Sequence, residues 1–344
     1  MSSEQFPLTS EGAAQAKKGY TALENKHDEF SAAIESGDIE RAKILKAELE
    51  QGMTALSERL ISPLERELQL KEQYDRQVNI LGSCGITEQM RAKGYEIPSY
   101  SQIRSAFRAE QELLTTKAEQ GFKTFLLVPF GMSIADLTKI YGDALKKHKT
   151  ENKLFAEADP AVPYDLNVEK PVDAWTGYQT EEISYFSKQF DQTNHGGLTK
   201  AQVIQESGAW QAVLIEDIPI PRAGVGATLG TKKPRKQLEA KKSPNAYLEL
   251  LKDPQYEGEE GLTPELWLYK ALTRLEEQNQ VTDDWQGKGS ISYNLGAYFP
   301  KSANVASADW SRGSSQAYLG RSDAGNVASS YGASSAVRVK VPKT

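Results

Sequence analysis

The segment Ala308-Asp-Trp-Ser-Arg-Gly-Ser-Ser-Gln-Ala-Tyr-Leu-Gly320 lies near the end of a chain of 344 residues and differs in composition from the rest. Residues 301–336 contain ten Ser, eight Ala and four Gly, with no Glu and a single Lys. Small polar residues around a few aromatic ones are typical of adaptable binding surfaces, because Tyr supplies contact area at low entropic cost. The segment therefore predicts a binding surface, and a plain Ser/Ala-rich loop region is the alternative.

The residue types of this segment also share a property at the level of codons. Apart from Lys301, Trp310 and Gln316, every residue of 301–336 can be encoded by changing only the adenines of an Asn codon, AAC or AAT. Glu, Lys, Gln, Met and Trp cannot be reached in that way. Since Glu and Lys are abundant upstream, their near absence here is unusual.

On both sides of this segment, local patterns predict a mixed α+β fold. Three valines alternate with two basic residues in 336–341, which is typical of an antiparallel strand with one buried and one solvated face. Apolar runs at 124–130 and 212–218 predict two further strands. Helical periodicity after a capping residue predicts helices over 133–148 and 263–279.

The first 80 residues predict an α-helical hairpin. Apolar residues recur at steps of three and four on both sides of Gly37 and Asp38, which suit a helix end and the next N-cap. We therefore expect a hairpin or coiled-coil appendage over 1–80, a connecting helical segment over 81–119 and the main domain over 120–344. Binding of a partner, or self-association, through the N-terminal helices is the alternative to a solvated hairpin.

Composition and charge restrict the function. The net charge is −6 and the pI about 5.4, which argues against a general nucleic-acid-binding protein. No apolar run approaches the roughly 18 residues of a membrane span, and the start lacks the pattern of a secretory signal. Cys84 is a lone cysteine and the three histidines are scattered. We therefore expect a cytoplasmic protein without metal or cofactor, with surface display as the alternative.

The sequence shows no arrangement typical of catalysis. The glycines of 224–233 have the wrong spacing for a phosphate-binding loop or a dinucleotide fingerprint. Acidic pairs at 181–182, 216–217 and 283–284 are predicted to be surface charges, because neighbours in a strand face opposite sides. The basic cluster of 232–242 predicts a solvated loop, with an acidic partner as the alternative. We expect that the protein is not an enzyme.

Several motifs together resemble one known family. Tyr298-Phe-Pro300, Ala308–Gly320 and Gly332–Val339 resemble the C-terminal segment of diversity-generating retroelement variable proteins, with a distinctive spacing of their Trp, Leu, Gly and Val residues. Gly261–Trp267 and parts of 283–297 resemble the scaffold that precedes that segment. The resemblance covers roughly residues 120–341 and leaves out the N-terminal hairpin.

The resemblance implies a C-type lectin-like fold of the formylglycine-generating-enzyme type. In that family a reverse transcriptase copies a template repeat with errors at adenines, and the copy replaces the variable region, here about residues 298–336. The varied residues then form a solvent-exposed face that binds a ligand, for which we expect a protein. The calcium-and-sugar motifs of true C-type lectins and the paired cysteines of the formylglycine-generating enzyme are both absent from this sequence. The resemblance therefore implies neither calcium-dependent sugar binding nor oxidase activity.

The resemblance also predicts which residues vary and which support them. Exposed substitutions usually cost within about 0.5 kcal/mol and core substitutions several times more, so extensive variation requires an exposed face on a buried frame. We predict a frame of Trp310, Leu319, Gly332, Ala333, Val337 and Val339. We predict a varied, ligand-facing set of Tyr298, Ala308, Asp309, Ser311, Ser315, Tyr318, Gly320, Arg321, Ser322, Asp323, Asn326, Ser330 and Tyr331. Tyr318, Tyr331 and Arg321 are expected to contribute most of the binding energy.

Two alternatives remain open from the sequence. The first is a phage or cell-envelope adhesin in which the N-terminal helices form oligomers. The second is an enzyme that retains the lectin-like fold, which a pocket with an acid of perturbed pKa would support.

Overall fold

A computed structural model describes residues 10–59, 63–157, 159–287 and 289–341. The chain divides into two compact units, Met1–Glu67 and Leu68–Thr344. The outer ends of the predicted hairpin and main domain, 1–9 and 342–344, lie outside the described residues. The boundary between the two units follows Glu67, thirteen residues before the end at residue 80 that the sequence predicts for the hairpin. The reason is that the helix after it packs against a strand of the second unit.

The elements are numbered here in chain order. The helices are α1 (Ser10–Glu35), α2 (Ile39–Arg59), α3 (Pro63–Glu67), α4 (Leu70–Ser83), α5 (Ile86–Ala92), α6 (Tyr100–Ala109), α7 (Gln111–Glu119), α8 (Ile134–Thr150), α9 (Gly177–Thr180), α10 (Lys200–Ser207), α11 (Pro244–Leu250) and α12 (Pro264–Gln278). The strands are β1 (Thr124–Val128), β2 (Val172–Ala174), β3 (Ser184–Tyr185), β4 (Gln211–Ile215), β5 (Thr228–Leu229), β6 (Arg235–Lys236), β7 (Glu259–Gly261), β8 (Ile291–Phe299), β9 (Asn304–Ser311), β10 (Gln316–Asp323), β11 (Tyr331–Ala333) and β12 (Ser335–Val339).

The N-terminal unit contains the predicted helical hairpin, formed by α1 and α2. Gly37 occupies the left-handed region with φ of +75°, where a residue without a β-carbon is favoured. The Asp38 carboxylate then accepts a hydrogen bond from the Arg41 backbone at 3.1 Å, which caps α2. Ala33 and Leu45 are buried where the two helices pack. Both local signals used in the sequence prediction are therefore present in the turn.

The second unit contains an antiparallel sheet of four strands in the order β1-β4-β12-β7. The predicted terminal strand is β12, which lies between β4 and β7. Val337 and Val339 are buried, as the alternation predicts. Arg338 is only half-buried on the opposite face and forms an ion pair with Glu260 at 2.6 Å, so this face is less solvated than expected. The last strand is thus held on both sides.

A second, larger sheet follows the order β11-β8-β9-β10-β2, with β3 also paired to β8. Neighbouring strands β8, β9 and β10 are antiparallel, whereas β11 is parallel to β8. Helix α12 contacts β1 of the first sheet and β8 and β9 of the second. Its N-cap is Thr263, followed by Pro264 at the first helical position, and Trp267, Leu268 and Leu272 are buried. The fold is therefore α+β.

Arg235 forms the centre of a buried network of charges. Its guanidinium donates to both carboxylate oxygens of Glu259 at 2.7 and 2.8 Å, and to Glu216 at 2.9 Å. Lys117 of α7 and the Ser335 hydroxyl of β12 also donate to the Glu259 carboxylate. The prediction that the basic cluster of 232–242 is a solvated loop is wrong for Arg235. This side chain is completely buried, where it forms a bidentate pair with Glu259.

We predict that Glu259→Gln destabilises the protein by about 3–5 kcal/mol, because the change leaves buried positive charges on Arg235 and Lys117 without their shared partner. Urea unfolding measures the loss. The matched control is Glu249→Gln, which breaks the exposed pair with Lys252 and should cost less than about 1 kcal/mol. Equal losses in the two variants would contradict this role of the network.

Candidate functional site

Strands β9 and β10 divide their side chains between two sides of the sheet. Residues directly opposite each other in a pair of strands point to the same side, and successive residues alternate. The register pairs Asp309 with Tyr318 and Ser307 with Gly320. We name one side the C-terminal face. It carries Ser307, Asp309 and Ser311 of β9, Tyr318, Gly320 and Ser322 of β10, Ile291 and Tyr293 of β8, and Tyr331 of β11.

On the other side of the same two strands, four residues pack into the interior. Trp310 pairs with Ala317, and Ala308 with Leu319, and all four are buried. The Trp310 ring stacks on the Tyr164 ring with centroids 5.9 Å apart and an interplanar angle of 1°. On the C-terminal face, Tyr318 is exposed and Ser311 half-buried, whereas Ser307, Asp309, Gly320 and Ser322 are buried.

All six residues of the predicted frame are buried in the structure: Trp310, Leu319, Gly332, Ala333, Val337 and Val339. Gly332 has no room for a side chain, because a β-carbon there would collide with Ile220. The structure therefore gives each of these residues a packed environment.

Four residues form a row across the middle of the C-terminal face. Tyr331 pairs with Ile291, and Asp309 with Tyr318. Because Ser292 pairs with Ala308 in the antiparallel register, Ile291 lies opposite Asp309. The row therefore runs Tyr331, Ile291, Asp309, Tyr318, with two tyrosines at its ends. Because neighbouring strands lie about 4.8 Å apart, a row across four strands spans roughly 14 Å.

Aromatic packing and short polar contacts define the neighbouring rows of the C-terminal face. The Tyr318 ring lies over Gly320, where an added β-carbon would come within 2.5 Å of the ring. The rings of Tyr293 and Tyr331 are 4.9 Å apart. The Tyr293 hydroxyl donates to the Asn326 carbonyl at 3.2 Å, and the Asn326 side chain donates to Ser322. These contacts hold the tyrosine rings in fixed positions.

Asp309 is an unusual carboxylate at the centre of this face. Only 4% of the residue is exposed, and within the described part of the chain its carboxylate has no hydrogen-bond or ion-pair partner. Burial raises the pKa of Asp309 to about 7, and the nearby carboxylates of Asp283 and Asp284 add to the rise. The pKa of Tyr331 is also raised, mainly by burial and further by the Asp309 carboxylate and Tyr318. The Asp309 carboxylate is therefore largely desolvated and near enough to the Tyr331 hydroxyl to raise its pKa.

The structure leaves eight of the thirteen residues predicted to vary accessible to solvent. Tyr318, Arg321, Asp323 and Asn326 are exposed, and Ser311, Ser315, Ser330 and Tyr331 are half-buried.

The predicted exposure is wrong for the remaining five, Tyr298, Ala308, Asp309, Gly320 and Ser322, which are buried. Tyr298 lies in β8 between β3 and β9, in an apolar cluster where Phe190 packs 5.3 Å from its ring. Ala308 belongs to the interior side. Asp309, Gly320 and Ser322 lie on the C-terminal face but form its floor. Composition identifies the strands but not the side to which each residue points.

Arg321 does not lie with the two tyrosines expected to share its role. It pairs with Ala306 and therefore points to the side of the sheet opposite Tyr318. Its guanidinium lies 4.5 Å from the centroid of the Trp175 ring. Tyr318 and Tyr331 thus lie on one surface, and the prediction that Arg321 joins them there is wrong.

Three residues of the C-terminal face were not predicted from the sequence: Ile291, Tyr293 and Ser307. Ile291 and Tyr293 precede the Ser-rich segment by composition, yet β8 lies between β11 and β9 and completes the face. The alternation of Ile291 and Tyr293 with small polar residues in β8 was the available signal.

The acidic pair Asp283-Asp284 was expected at the surface and is buried instead. The Trp267 indole donates to Asp283 at 2.7 Å, and Arg312 donates twice to Asp284 at 2.9 and 2.8 Å. The pKa of the nearby Glu157, also buried, is raised to about 7 by desolvation and then by Asp283. The Arg312 pair to Asp284, and the Trp267 hydrogen bond and Lys270 charge beside Asp283, help to accommodate two adjacent carboxylates in the interior.

Ser184 and His195 form the contact that most resembles a catalytic pair. The Ser184 hydroxyl lies 2.6 Å from His195 Nδ1, beside a cavity of about 400 Å³. The Gly197 backbone donates to the same Nδ1 at 3.2 Å, so this nitrogen is an acceptor. Gly197 also lies directly against the hydroxyl, which is buried and bonded to Ser187. This geometry closes a loop and leaves little access for a substrate to Ser184.

Among the described residues, no group of three or more His, Cys, Asp or Glu side chains is arranged to hold a metal ion. None of the described helices combines the length and the apolar character that crossing a bilayer requires. The chain matches no known family model, no curated protein and no solved structure.

We predict opposite outcomes for two adjacent residues of β10. Leu319→Ala should cost about 2–5 kcal/mol of unfolding free energy because it leaves a cavity in the interior. Tyr318 is the neighbouring residue and is 39% exposed, so Tyr318→Ala should cost only about 0.5 kcal/mol of unfolding free energy. Chemical denaturation of the two variants measures the difference. A loss for Tyr318→Ala as large as that for Leu319→Ala would show that this side is also interior.

We predict that Asp309→Asn stabilises the protein at pH 8 and that the gain disappears by about pH 4. The pKa of Asp309 is about 7 when folded and about 3.9 when unfolded, so the wild type loses stability as the pH rises between these values. The variant has no such ionisation. Urea unfolding at a series of pH values measures the difference. A gain that does not change with pH would mean that the folded state does not raise the pKa of Asp309.

Proposed function

We propose that the protein is a ligand-binding variable protein diversified by a retroelement, with a C-type lectin-like fold and no catalytic step. The C-terminal face is the proposed binding surface. Motif resemblance supports the family and the lectin-like fold. The α+β architecture accords with it, since α8, α12 and the closing strand β12 lie where those expectations require two helices and a terminal strand.

The division of β9 and β10 into two sides is the observation that carries this proposal. One side holds Trp310, Leu319 and small apolar residues in the interior. On the other side solvent reaches Tyr318 and Ser311, while Ser307, Asp309, Gly320 and Ser322 are buried. Exchange of the accessible residues on the second side changes the chemistry of a surface, whereas exchange on the first creates cavities or clashes. A retroelement that varies residues safely requires this separation.

The dimensions and composition of the C-terminal face favour a protein as the ligand. The row from Tyr331 to Tyr318 alone spans roughly 14 Å across four strands at the usual strand spacing. Accessible positions at Ser311, Asn326 and Ser330 extend the surface beyond that row. Tyr is enriched among the residues that dominate the energy of protein interfaces. We place the protein in the cytoplasm, where the free thiol of Cys84 is compatible with a reducing environment.

An adhesin with oligomerising helices remains a second candidate, because the hairpin exposes several large apolar residues. Ile34, Ile39, Ile44 and Met53 are all exposed on α1 and α2. Sedimentation of the full chain over a range of concentrations tests it. A mass that rises with concentration and that Ile39→Lys with Ile44→Lys returns to the monomer would favour oligomerisation through the hairpin.

We predict that the DNA adjoining the gene contains a near-copy of the codons for 298–341. The copy should differ from the gene chiefly where the copy has adenine, and a reverse-transcriptase gene should lie nearby. Sequencing the flanking DNA tests the proposed diversification. A gene with neither a near-copy nor a reverse transcriptase in its neighbourhood would contradict it.

A further inference from the structure

The C-terminal face contains a buried carboxylate that nothing in the described chain neutralises. Asp309 is 4% exposed, and the basic side chains of the same segment have other positions or partners. Arg312 is bound to Asp284, Arg338 to Glu260, and Arg321 lies at the ring of Trp175. Burying an unpaired carboxylate is costly, and removal from water increases the strength with which it attracts a positive charge.

The neighbours of Asp309 suit a cation rather than another kind of group. Tyr318 is directly opposite on β10, and Tyr331 lies near enough for its pKa to be raised by the Asp309 carboxylate. Tyrosine rings attract cations, and the Asp309 carboxylate on the same face supplies the opposite charge. Asp283 and Asp284, whose backbone pairs with Trp310 alongside β9, add further negative potential, although their carboxylates accept hydrogen bonds from Trp267 and Arg312.

We propose that the C-terminal face binds a cationic group of its ligand, a guanidinium or ammonium of a protein side chain, in an ion pair with Asp309 between Tyr318 and Tyr331. This inference rests on the proposed function and specifies the chemical class that the face recognises. The bound cation supplies the partner that the carboxylate lacks, so the cost of burying Asp309 in the free protein is recovered on binding.

A pair of small probes tests the proposal on the full chain. N-acetyl-arginine amide carries the guanidinium, and N-acetyl-citrulline amide has nearly the same shape without the charge. We expect the arginine probe to shift the backbone amide resonances of Asp309, Tyr318 and Tyr331 in a TROSY titration, with a Kd on the order of millimolar, as is typical of weak contacts. Citrulline should bind at least tenfold more weakly.

Three variants locate the effect. Asp309→Asn should weaken binding of the arginine probe at least tenfold, while Asp159→Asn should leave it unchanged. Asp159 is a matched control because it is an exposed aspartate outside the proposed binding residues, and it accepts a hydrogen bond from the Ala161 backbone with an oxygen that Asn retains. Tyr318→Ala should weaken binding severalfold through the loss of one ring. The dispersion of each TROSY spectrum establishes that the variant is folded.

The pH dependence has a defined sign. The groups that face Asp309 are Tyr318, Tyr331, Asp283 and Asp284. Burial raises the pKa of Tyr331 above the ordinary tyrosine value near 10, so Tyr331 stays neutral between pH 5.5 and 8. A cation binds the ionised carboxylate, so affinity should rise with pH across this range.

Three results would overturn the proposal: equal binding of the two probes, arginine binding that Asp309→Asn leaves intact, and affinity that falls as pH rises. The last would mean that a protonated Asp309 donates to a neutral ligand group. None of them alters the outcome for the flanking DNA. Failure of the cation proposal is therefore distinguishable from failure of the proposed function.

Discussion

The register of β9 against β10 is the constraint on which the whole proposed site depends. Because side chains alternate along a strand, one register determines which residues enter the interior and which remain on the C-terminal face. A slip by one residue would turn Trp310 and Leu319 toward solvent and Asp309 and Tyr318 into the core. Stacking of Trp310 on Tyr164 and the burial of Leu319 oppose such a slip. The same contacts that stabilise the sheet therefore define its binding surface.

The surrounding structure keeps this sheet in place while leaving one side open. Strand β12, directly after the proposed variable region, is held between β4 and β7, and the Glu259 carboxylate joins β7 to Arg235 and Ser335. The segment that varies is thus anchored beyond its end by a second sheet. A firmly packed frame also explains how the protein accommodates Asp309, whose burial without a partner lowers stability. The stability contributed by the frame offsets the loss of stability that comes from burying the Asp309 carboxylate at the site.

The sequence predicts elements whose signals are local. The cap at Thr263, the turn at Gly37 and the alternation in β12 each involve residues within a few positions, and all three elements are present. Burial of Tyr298 and Arg235 was not predicted, because it depends on strands and carboxylates far away in the chain. Composition likewise selects the Ser-rich segment as a whole. Only pairing with distant β8 decides which of its residues form the floor, the rim or the interior.

A saturation mutagenesis scan of 308–311 and 317–320, read out as resistance of the folded protein to protease, tests the central claim most directly. The account predicts a tolerance with a period of two residues. Ser311 and Tyr318 should accept most substitutions, including charged ones, while Ala308, Trp310 and Leu319 should accept few. Uniform tolerance along both strands, or intolerance at Ser311 and Tyr318 equal to that at Trp310 and Leu319, would contradict a variable face supported by a buried frame.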